Sequence, residues 1–183
     1  WEHFDKLSAS TTIIMKILAI ETSCDETAIA LVSASGGLKN PRFKILKNLV
    51  ASQIKIHRPF GGIVPTLAKR EHIKNLPILF NKILKAKSYK LKADLIAVTV
   101  GPGLEPALWT GINFAKELKA NLIGVSHLEG HLYSFLLKQK RANSKFQVPS
   151  SKKLFPAVAL LVSGGHTILL KMDSLTKCKK LGE

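Results

Sequence analysis

The sequence predicts an α/β fold with a mixed β-sheet. Three predicted strands come first, and helices and strands then alternate, which is the order expected of a layered α/β protein. Two strand–polar turn–strand hairpins, with turns at residues 21–27 and 163–167, indicate a duplicated architecture that holds a ligand between two lobes. The chain has 183 residues, of which 46% are apolar and 22% charged, so it can form a hydrophobic core.

The first predicted elements are three strands. They cover residues 16–20, 28–32 and 45–53, and the segments between them are polar or rich in glycine. Met15 directly precedes the first strand and resembles a natural start, so residues 1–14 are predicted to be an extension outside the fold.

Helices and strands alternate in the middle of the chain. A helix is predicted from Pro65, and Pro77 is expected to split or kink it. An apolar strand at residues 94–100 leads through a glycine turn, residues 101–104, into a helix with Pro106 in its first turn. Residues 138–153 are basic and aperiodic, which predicts a linker or a long exposed loop. Strands are then predicted at 156–162 and 168–172.

Two histidines four residues apart follow a short apolar strand at residues 122–125. On a helix, His127 and His131 would lie on one face and could converge on one metal ion. The position at a strand end favours a ligand site, because ligands of open α/β sheets collect there. The alternative is a pair of unrelated, half-exposed histidines on a surface helix. A zinc peptidase would carry Glu directly after the first histidine, whereas here Glu129 follows Leu128, which disfavours that chemistry.

Composition limits the remaining possibilities. The net charge of +16 favours a polyanionic partner, although 24 of the 28 basic residues are lysines rather than the arginines of bidentate recognition. Cys24 and Cys178 are too few for a disulfide framework, and a reducing, cytoplasmic setting is expected. No apolar run reaches the roughly 18 residues of a membrane span. The carboxylates of Asp25 and Glu26 lie in the first polar turn, where either a base or a solvated turn is possible.

Five segments, in this order, carry a family resemblance. They are Glu21-Thr22-Ser23-Cys24-Asp25-Glu26-Thr27, Gly61-Gly62-Ile63-Val64-Pro65, Gly101-Pro102-Gly103-Leu104, His127-Leu128-Glu129-Gly130-His131 and Leu161-Val162-Ser163-Gly164-Gly165-His166-Thr167. Together they resemble the N-terminal half of the tRNA N6-adenosine threonylcarbamoyltransferase family, once described as glycoproteases. The resemblance covers residues 15–183.

The resemblance implies an actin-like, sugar-kinase-like fold with a nucleotide cleft between two lobes. Residues 15–126 would form the first lobe and residues 127–183 the beginning of the second. The implied reaction moves a threonylcarbamoyl group from threonylcarbamoyl-adenylate to N6 of the adenosine 3′ to the anticodon, in tRNAs that read codons beginning with A. An ATP- or AMP-like nucleotide would occupy the cleft.

The resemblance also implies roles for individual residues. His127 and His131 would be two ligands of an iron or zinc ion, and Asp25 would be the catalytic base with Glu26 beside it. The adenylate would contact a loop formed by Leu161, Val162, Ser163, Gly164 and Gly165. The implied partners are tRNA together with an inactive paralogue and a small P-loop ATPase in bacteria, or a kinase-containing complex in archaea and eukaryotes.

The family pattern continues past residue 183 to an Asp-Asp segment, a glycine-rich nucleotide site and an aspartate metal ligand. The chain is therefore expected to be an inactive fragment, in which an apolar strand edge such as residues 158–162 favours association. Two alternatives are a metallopeptidase and a non-catalytic partner subunit of the same family. The histidine pair argues against the second alternative.

Overall fold

A five-stranded mixed sheet forms the first part of the molecule. The computed structural model describes residues 14–37, 41–85, 93–137, 154–162 and 167–183. The strands are β1 (Met15–Glu21), β2 (Glu26–Ser35), β3 (Arg42–Ser52), β4 (Leu95–Gly101) and β5 (Leu122–Ser126), arranged in the order β3-β2-β1-β4-β5. The pairs β1–β2 and β2–β3 are antiparallel, whereas β1–β4 and β4–β5 are parallel. The predicted mixed sheet is confirmed.

Two long helices cover one face of this sheet. They are α2 (Pro65–Leu84) and α3 (Glu105–Glu117), while α1 (Ile54–His57) is a single turn followed by a 3-10 turn at Arg58–Phe60. Alternate residues of the central strands point towards the helices, as the period of two in a strand requires. The resulting core contains Leu18, Ile20, Ile29, Leu31, Leu76, Leu79, Ile83, Ile96, Val98 and Ala115.

Pro77 lies inside α2 without ending it. The prediction that Pro77 could split the segment is wrong, since α2 is one helix of 20 residues. Leu76, Leu79 and Ile83, on either side of the proline, are buried against the sheet. Burial of this apolar face outweighs the local cost of the missing proline N–H, which is roughly 3 kcal/mol in a helix interior.

A three-stranded antiparallel sheet forms the end of the chain. Its strands are β6 (Ala157–Val162), β7 (Thr167–Met172) and β8 (Cys178–Gly182), in that order. Strand β8 was not predicted, because Cys-Lys-Lys-Leu-Gly has no apolar alternation and pairs with β7 as a largely exposed edge. Within the described residues β6 pairs only with β7, and Val158, Leu160 and Val162 on one of its faces are 60–70% exposed.

Some predictions concern residues outside the described ranges. These are the extension at residues 1–13, the linker at 138–153 and the tip of the second hairpin at 163–166. The division into lobes at residue 126 stays a prediction. Among the described residues, no helix combines the length and the apolarity that crossing a bilayer requires.

Candidate functional site

The candidate site lies at the carboxyl-terminal edge of the parallel strands. Strands β1, β4 and β5 run in the same direction, so residues at or near their carboxyl ends meet at one edge of the sheet. Glu21 is the last residue of β1, Thr99 lies near the end of β4, and His127 follows β5 directly. The topology therefore brings together side chains that are up to 106 residues apart in the chain.

Glu21 is the central side chain of this edge. Its Oε1 accepts the Ser23 N–H at 2.5 Å, and its Oε2 accepts the Thr99 hydroxyl at 2.5 Å. Burial opposes ionisation of this carboxyl group, but these hydrogen bonds and the nearby His127 outweigh burial, and the pKa of Glu21 is lowered. Glu21 is thus an ionised, oriented acceptor at neutral pH.

The two predicted histidines lie side by side on α4 (His127–Tyr133). Their Nε2 atoms are 3.1 Å apart, and the rings are nearly perpendicular with centroids separated by 4.5 Å. Ser126 caps the helix by accepting the Glu129 N–H at its Oγ, and a 3-10 turn at Ser134–Leu136 follows. The prediction that the first histidine lies at the junction of strand and helix is confirmed.

The opposite ring nitrogen of His127 faces the Glu21 carboxylate. His127 Nδ1 is 3.3 Å from Glu21 Oε2 and 3.1 Å from Ser23 Oγ. An ionised carboxylate can only accept, so it favours the tautomer with hydrogen on Nδ1 and leaves a lone pair on Nε2. This is the arrangement in which a histidine ligand is oriented by an outer carboxylate.

This geometry fits a metal ion. With metal–nitrogen bonds of about 2.0–2.1 Å, two Nε2 atoms 3.1 Å apart subtend an angle of roughly 100° at a shared ion, close to common coordination geometries. Within the described residues no third His, Cys, Asp or Glu converges on the pair. The described part of the chain therefore offers two nitrogen atoms that could bind one ion. That a metal ion binds here, and which metal it is, both stay predictions.

The two acidic residues of the first turn, Asp25 and Glu26, differ in burial and in position. Asp25 is half-buried in the turn between β1 and β2, close in sequence to Ser23, whose hydroxyl contacts His127. Glu26 is exposed and is the first residue of β2, paired with Ser52. Burial raises the pKa of the neighbouring Cys24 thiol, and the negative charge of Asp25 acts in the same direction.

The glycine turn at residues 101–104 packs against the acidic turn. Leu104 N–H donates to the Ser23 carbonyl at 2.8 Å. A Cβ at Gly103 would lie 2.6 Å from that carbonyl oxygen, so only glycine permits this approach. The glycine turn therefore makes a close backbone contact with Ser23 of the acidic turn.

A cavity of about 380 Å³ adjoins His127 on the sheet face opposite α2 and α3. Its floor consists of small side chains from three neighbouring strands, and His127, Glu129 and Tyr133 lie at its wall. The small residues are Ala19, Ala28, Ala30 and Ala97. These alanines leave room for a ligand or for another segment of protein.

The predicted adenylate loop is only partly described. Leu161 and Val162 end β6, and Val162 is 70% exposed. Ser163, Gly164 and Gly165 lie outside the described residues. Their role stays a prediction.

Sequence reasoning missed three residues at the edge itself: Glu21, Ser23 and Thr99. One signal was available for Glu21, because a charged residue directly after the apolar run 17–20 marks a strand end. Ser23 and Thr99 carry no comparable signal. Their contacts with His127 and Glu21 depend on which strands become neighbours.

The mixed sheet and its helices belong to an α/β protein of the actin-like superfold. A histidine pair lies beside the carboxyl ends of its parallel strands. A solved PPX-GPPA enzyme of Aquifex aeolicus shares the fold, with a TM-score of 0.50 and 11% identity over 92% of this chain and 52% of that one.

Sequence comparison defines the family. The sequence model of the tRNA N6-adenosine threonylcarbamoyltransferases (TsaD) matches residues 44–183. Curated relatives of that name from Fervidobacterium nodosum and Thermosipho melanesiensis are 43% and 45% identical over 92% of this chain, and it covers 46% and 47% of them. The chain belongs to the tRNA N6-adenosine threonylcarbamoyltransferase family. It spans about half the length of the curated relatives it matches.

Proposed function

We propose that this chain supplies part of the active site of a transferase that places a threonylcarbamoyl group on N6 of an adenosine in tRNA. The observation that carries the proposal is the convergence of the acidic turn and the histidine pair at one sheet edge, where Ser23 Oγ lies 3.1 Å from His127 Nδ1. Membership of the family supplies the reaction. The donor is threonylcarbamoyl-adenylate, and the adenosine is the one 3′ to the anticodon in tRNAs that read codons beginning with A.

Asp25 is the proposed base. The exocyclic amine of adenine is a weak nucleophile and must lose a proton as it attacks the carbonyl carbon of the donor, whose bond to the phosphate oxygen breaks so that AMP leaves. Asp25 is half-buried, and both peptide groups that flank it accept a hydrogen bond. The backbone that carries its carboxylate is therefore held in place. Glu26 is exposed on β2, and its proposed role is limited to adding negative charge beside Asp25.

His127 and His131 are the proposed protein ligands of an iron or zinc ion. The ion, when bound, would polarise an oxygen of the donor and so favour attack. Glu21 fixes the ring of His127, and the start of α4 at the end of β5 sets its direction. A third ligand would come from outside the described residues, as would most of the nucleotide site. We therefore propose that residues 1–183 alone bind metal weakly and do not turn over.

The donor's adenylate is proposed to contact Leu161, Val162, Ser163, Gly164 and Gly165. This segment joins β6 to β7 and carries glycines and a hydroxyl, which suit close approach of a phosphate to the backbone. The lobe division at residue 126 belongs to the same proposal, with the nucleotide between the lobes.

The proposed macromolecular partners follow from charge and exposed apolar surface. The net charge of +16 suits the tRNA phosphate backbone, which attracts lysines without regard to sequence. An open groove of about 500 Å³ between α2 and α3 exposes Ile73 and Trp109, which suits an inactive paralogue as a subunit. A small P-loop ATPase, or a kinase-containing complex, completes the proposed assembly in the cytoplasm.

Peptidase chemistry is disfavoured by the placement of Glu129. The Glu129 N–H donates to the hydroxyl of Ser126, which caps α4. None of the described hydrogen bonds or ion pairs of Glu129 reaches either histidine. A casein cleavage assay with and without chelator tests this alternative.

The test uses the full-length protein with its partner subunits, tRNA and threonylcarbamoyl-adenylate. Asp25→Asn is expected to lower kcat at least 100-fold with unchanged metal content, and Glu26→Gln, its neighbour in sequence, serves as the matched control with a small effect. His127→Ala combined with His131→Ala is expected to lose the metal. Full turnover by Asp25→Asn removes Asp25 from the reaction, and metal retained by the double variant removes the histidines as ligands.

A further inference from the structure

A buried hydrogen-bonded network lies beneath the acidic turn, on the side of α2. Its members are Gln53, His57 and His72, which are 0%, 4% and 0% exposed, together with the buried Thr27. None of these residues has a part in the proposed reaction. Buried polar groups on this scale are costly unless they are fully paired, so their presence calls for a specific role.

The contacts of His72 determine which of its ring nitrogens carries hydrogen. His72 Nε2 is 3.0 Å from the Cys24 carbonyl oxygen, and since a carbonyl only accepts, Nε2 carries the hydrogen. His72 Nδ1 then accepts from the Thr27 hydroxyl at 2.8 Å and from Gln53 Nε2 at 3.3 Å. Burial favours this neutral form and lowers the pKa of His72.

The second imidazole continues the network to the start of α2. His57 Nδ1 accepts the Val64 N–H at 3.3 Å, so its Nε2 donates to Gln53 Oε1 at 3.0 Å. Val64 is the N-cap residue that directly precedes α2. Within the described residues every buried side-chain nitrogen and oxygen has a partner, so the network is complete.

The network holds both peptide groups that flank Asp25. The carbonyl before Asp25 belongs to Cys24 and accepts from His72, while the carbonyl of Asp25 itself accepts the Gln53 N–H at 2.8 Å. Two anchored peptide planes restrict φ and ψ of the residue between them, and these angles set the direction of its Cα–Cβ bond. The direction of the Asp25 Cα–Cβ bond is thus restricted by His72 and Gln53.

We propose that His72 is a positioning residue for the reaction, which acts by holding the Cys24–Asp25 peptide so that the Asp25 carboxylate faces the substrate amine. This proposal rests on the proposed role of Asp25 as base. A misplaced base costs rate rather than binding, because proton transfer needs a defined distance and angle, and a shift of about 1 Å can cost on the order of 100-fold. The contact with Cys24 is the part of the network that carries the effect.

Two substitutions of His72 separate this contact from the others. In His72→Gln the side-chain amide nitrogen takes the place of Nε2 and still donates to Cys24, but nothing accepts from Thr27. In His72→Asn the amide oxygen takes the place of Nδ1 and still accepts from Thr27 and Gln53, but Cys24 loses its donor. Each variant leaves one side of the network unpaired, so a purely structural role predicts similar losses in both.

The kinetic test measures kcat and KM for tRNA in the full-length enzyme with its partners. We expect His72→Asn to lower kcat by 10- to 100-fold with KM changed less than threefold, and His72→Gln to stay within threefold of the wild type in kcat. Equal kcat values for the two variants overturn the proposal.

A second readout does not depend on the role of Asp25. Hydrogen exchange of the Gln53 amide, which donates to the Asp25 carbonyl, is expected to be at least tenfold faster in His72→Asn than in His72→Gln. Equal exchange in both variants refutes the positioning contact, even if Asp25→Asn is inactive. Faster exchange in His72→Asn together with full activity of Asp25→Asn supports the contact and refutes the base.

A third measurement needs no variant and covers the case in which either substitution prevents folding. In the wild-type protein, 15N shifts of His72 are expected to show a neutral ring with hydrogen on Nε2 at pH 7. Hydrogen on Nδ1, or a charged ring, would contradict the contact with Cys24 and overturn the proposal.

Discussion

Gly111 allows α3 to pack against the turn that carries the site, and its replacement by alanine tests this contact. A Cβ at Gly111 would lie 2.4 Å from Thr22 Oγ1 and 3.3 Å from Thr22 Cγ2. Thr22 is fully buried and its hydroxyl donates to the Ala107 carbonyl at 2.9 Å, so it cannot move aside without losing that bond. The substitution must therefore displace either the helix or the turn.

The magnitude follows from three contributions. Overpacking costs about 1–3 kcal/mol, a broken buried hydrogen bond costs a similar amount, and replacing glycine by alanine in a helix recovers about 1 kcal/mol. We expect Gly111→Ala to lower the free energy of unfolding by about 3 kcal/mol. Urea denaturation of the full-length wild type and variant measures this change, with the same dependence of the unfolding free energy on urea concentration (the m-value) applied to both.

Gly130 provides the matched control. It lies in α4, where an added Cβ meets nothing within 4 Å, so Gly130→Ala should raise stability by about 0.4–1 kcal/mol. Thr22→Ala should remove the clash, so the double variant Thr22→Ala with Gly111→Ala should lose less stability than the two single changes added together. A Gly111→Ala variant as stable as the wild type would refute this account of the packing.

Three further predictions concern the metal, the pH and the second sheet. Glu21→Gln should weaken metal binding by about 10- to 100-fold in a chelator competition, because the oriented acceptor at His127 Nδ1 is weakened; an unchanged Kd contradicts this role. The pKa of His72 is lowered in the folded protein, so below the ordinary pKa of 6.5 the unfolded chain binds more protons than the folded one. The free energy of unfolding should therefore be highest above pH 6.5 and should fall as the pH drops through and below that value. A flat pH profile of the wild type between about pH 7 and 5, or the same decline in His72→Gln, argues against this linkage. Replacing the exposed Val158 and Leu160 by threonine should reduce self-association of a 1–183 polypeptide in sedimentation velocity, and an unchanged distribution removes β6 as its cause.

The candidate site was only partly predictable. His127 and His131 were accessible from the sequence because their contact is local: one helical turn fixes their separation, and a strand before them marks the functional edge. Asp25 was found through the resemblance of its motif. Glu21 and Thr99 were not found, because their contact depends on the parallel pairing of β1 with β4 across 78 residues.

His72 shows how tertiary contacts can revise the significance of a residue. In the sequence it is a single histidine on the helix predicted from Pro65, and a lone histidine at such a position is more often structural than a metal ligand. The structure gives this ring three hydrogen-bonding partners, Cys24, Thr27 and Gln53, which lie 19 to 48 residues away in the chain. No local pattern encodes such a set of contacts, since each depends on α2 lying across the sheet.

The sequence by itself determined the mixed α/β class, the order of the elements and the helical spacing of the histidine pair. These follow from local periodicity, from proline and glycine, and from motif order, all of which act over a few residues. Only the tertiary structure decided that α2 continues through Pro77, that β8 exists, and that Glu21 faces His127. In each of these cases burial or strand pairing with distant residues outweighed the local preference, and such long-range free energies are not visible in a single stretch of sequence.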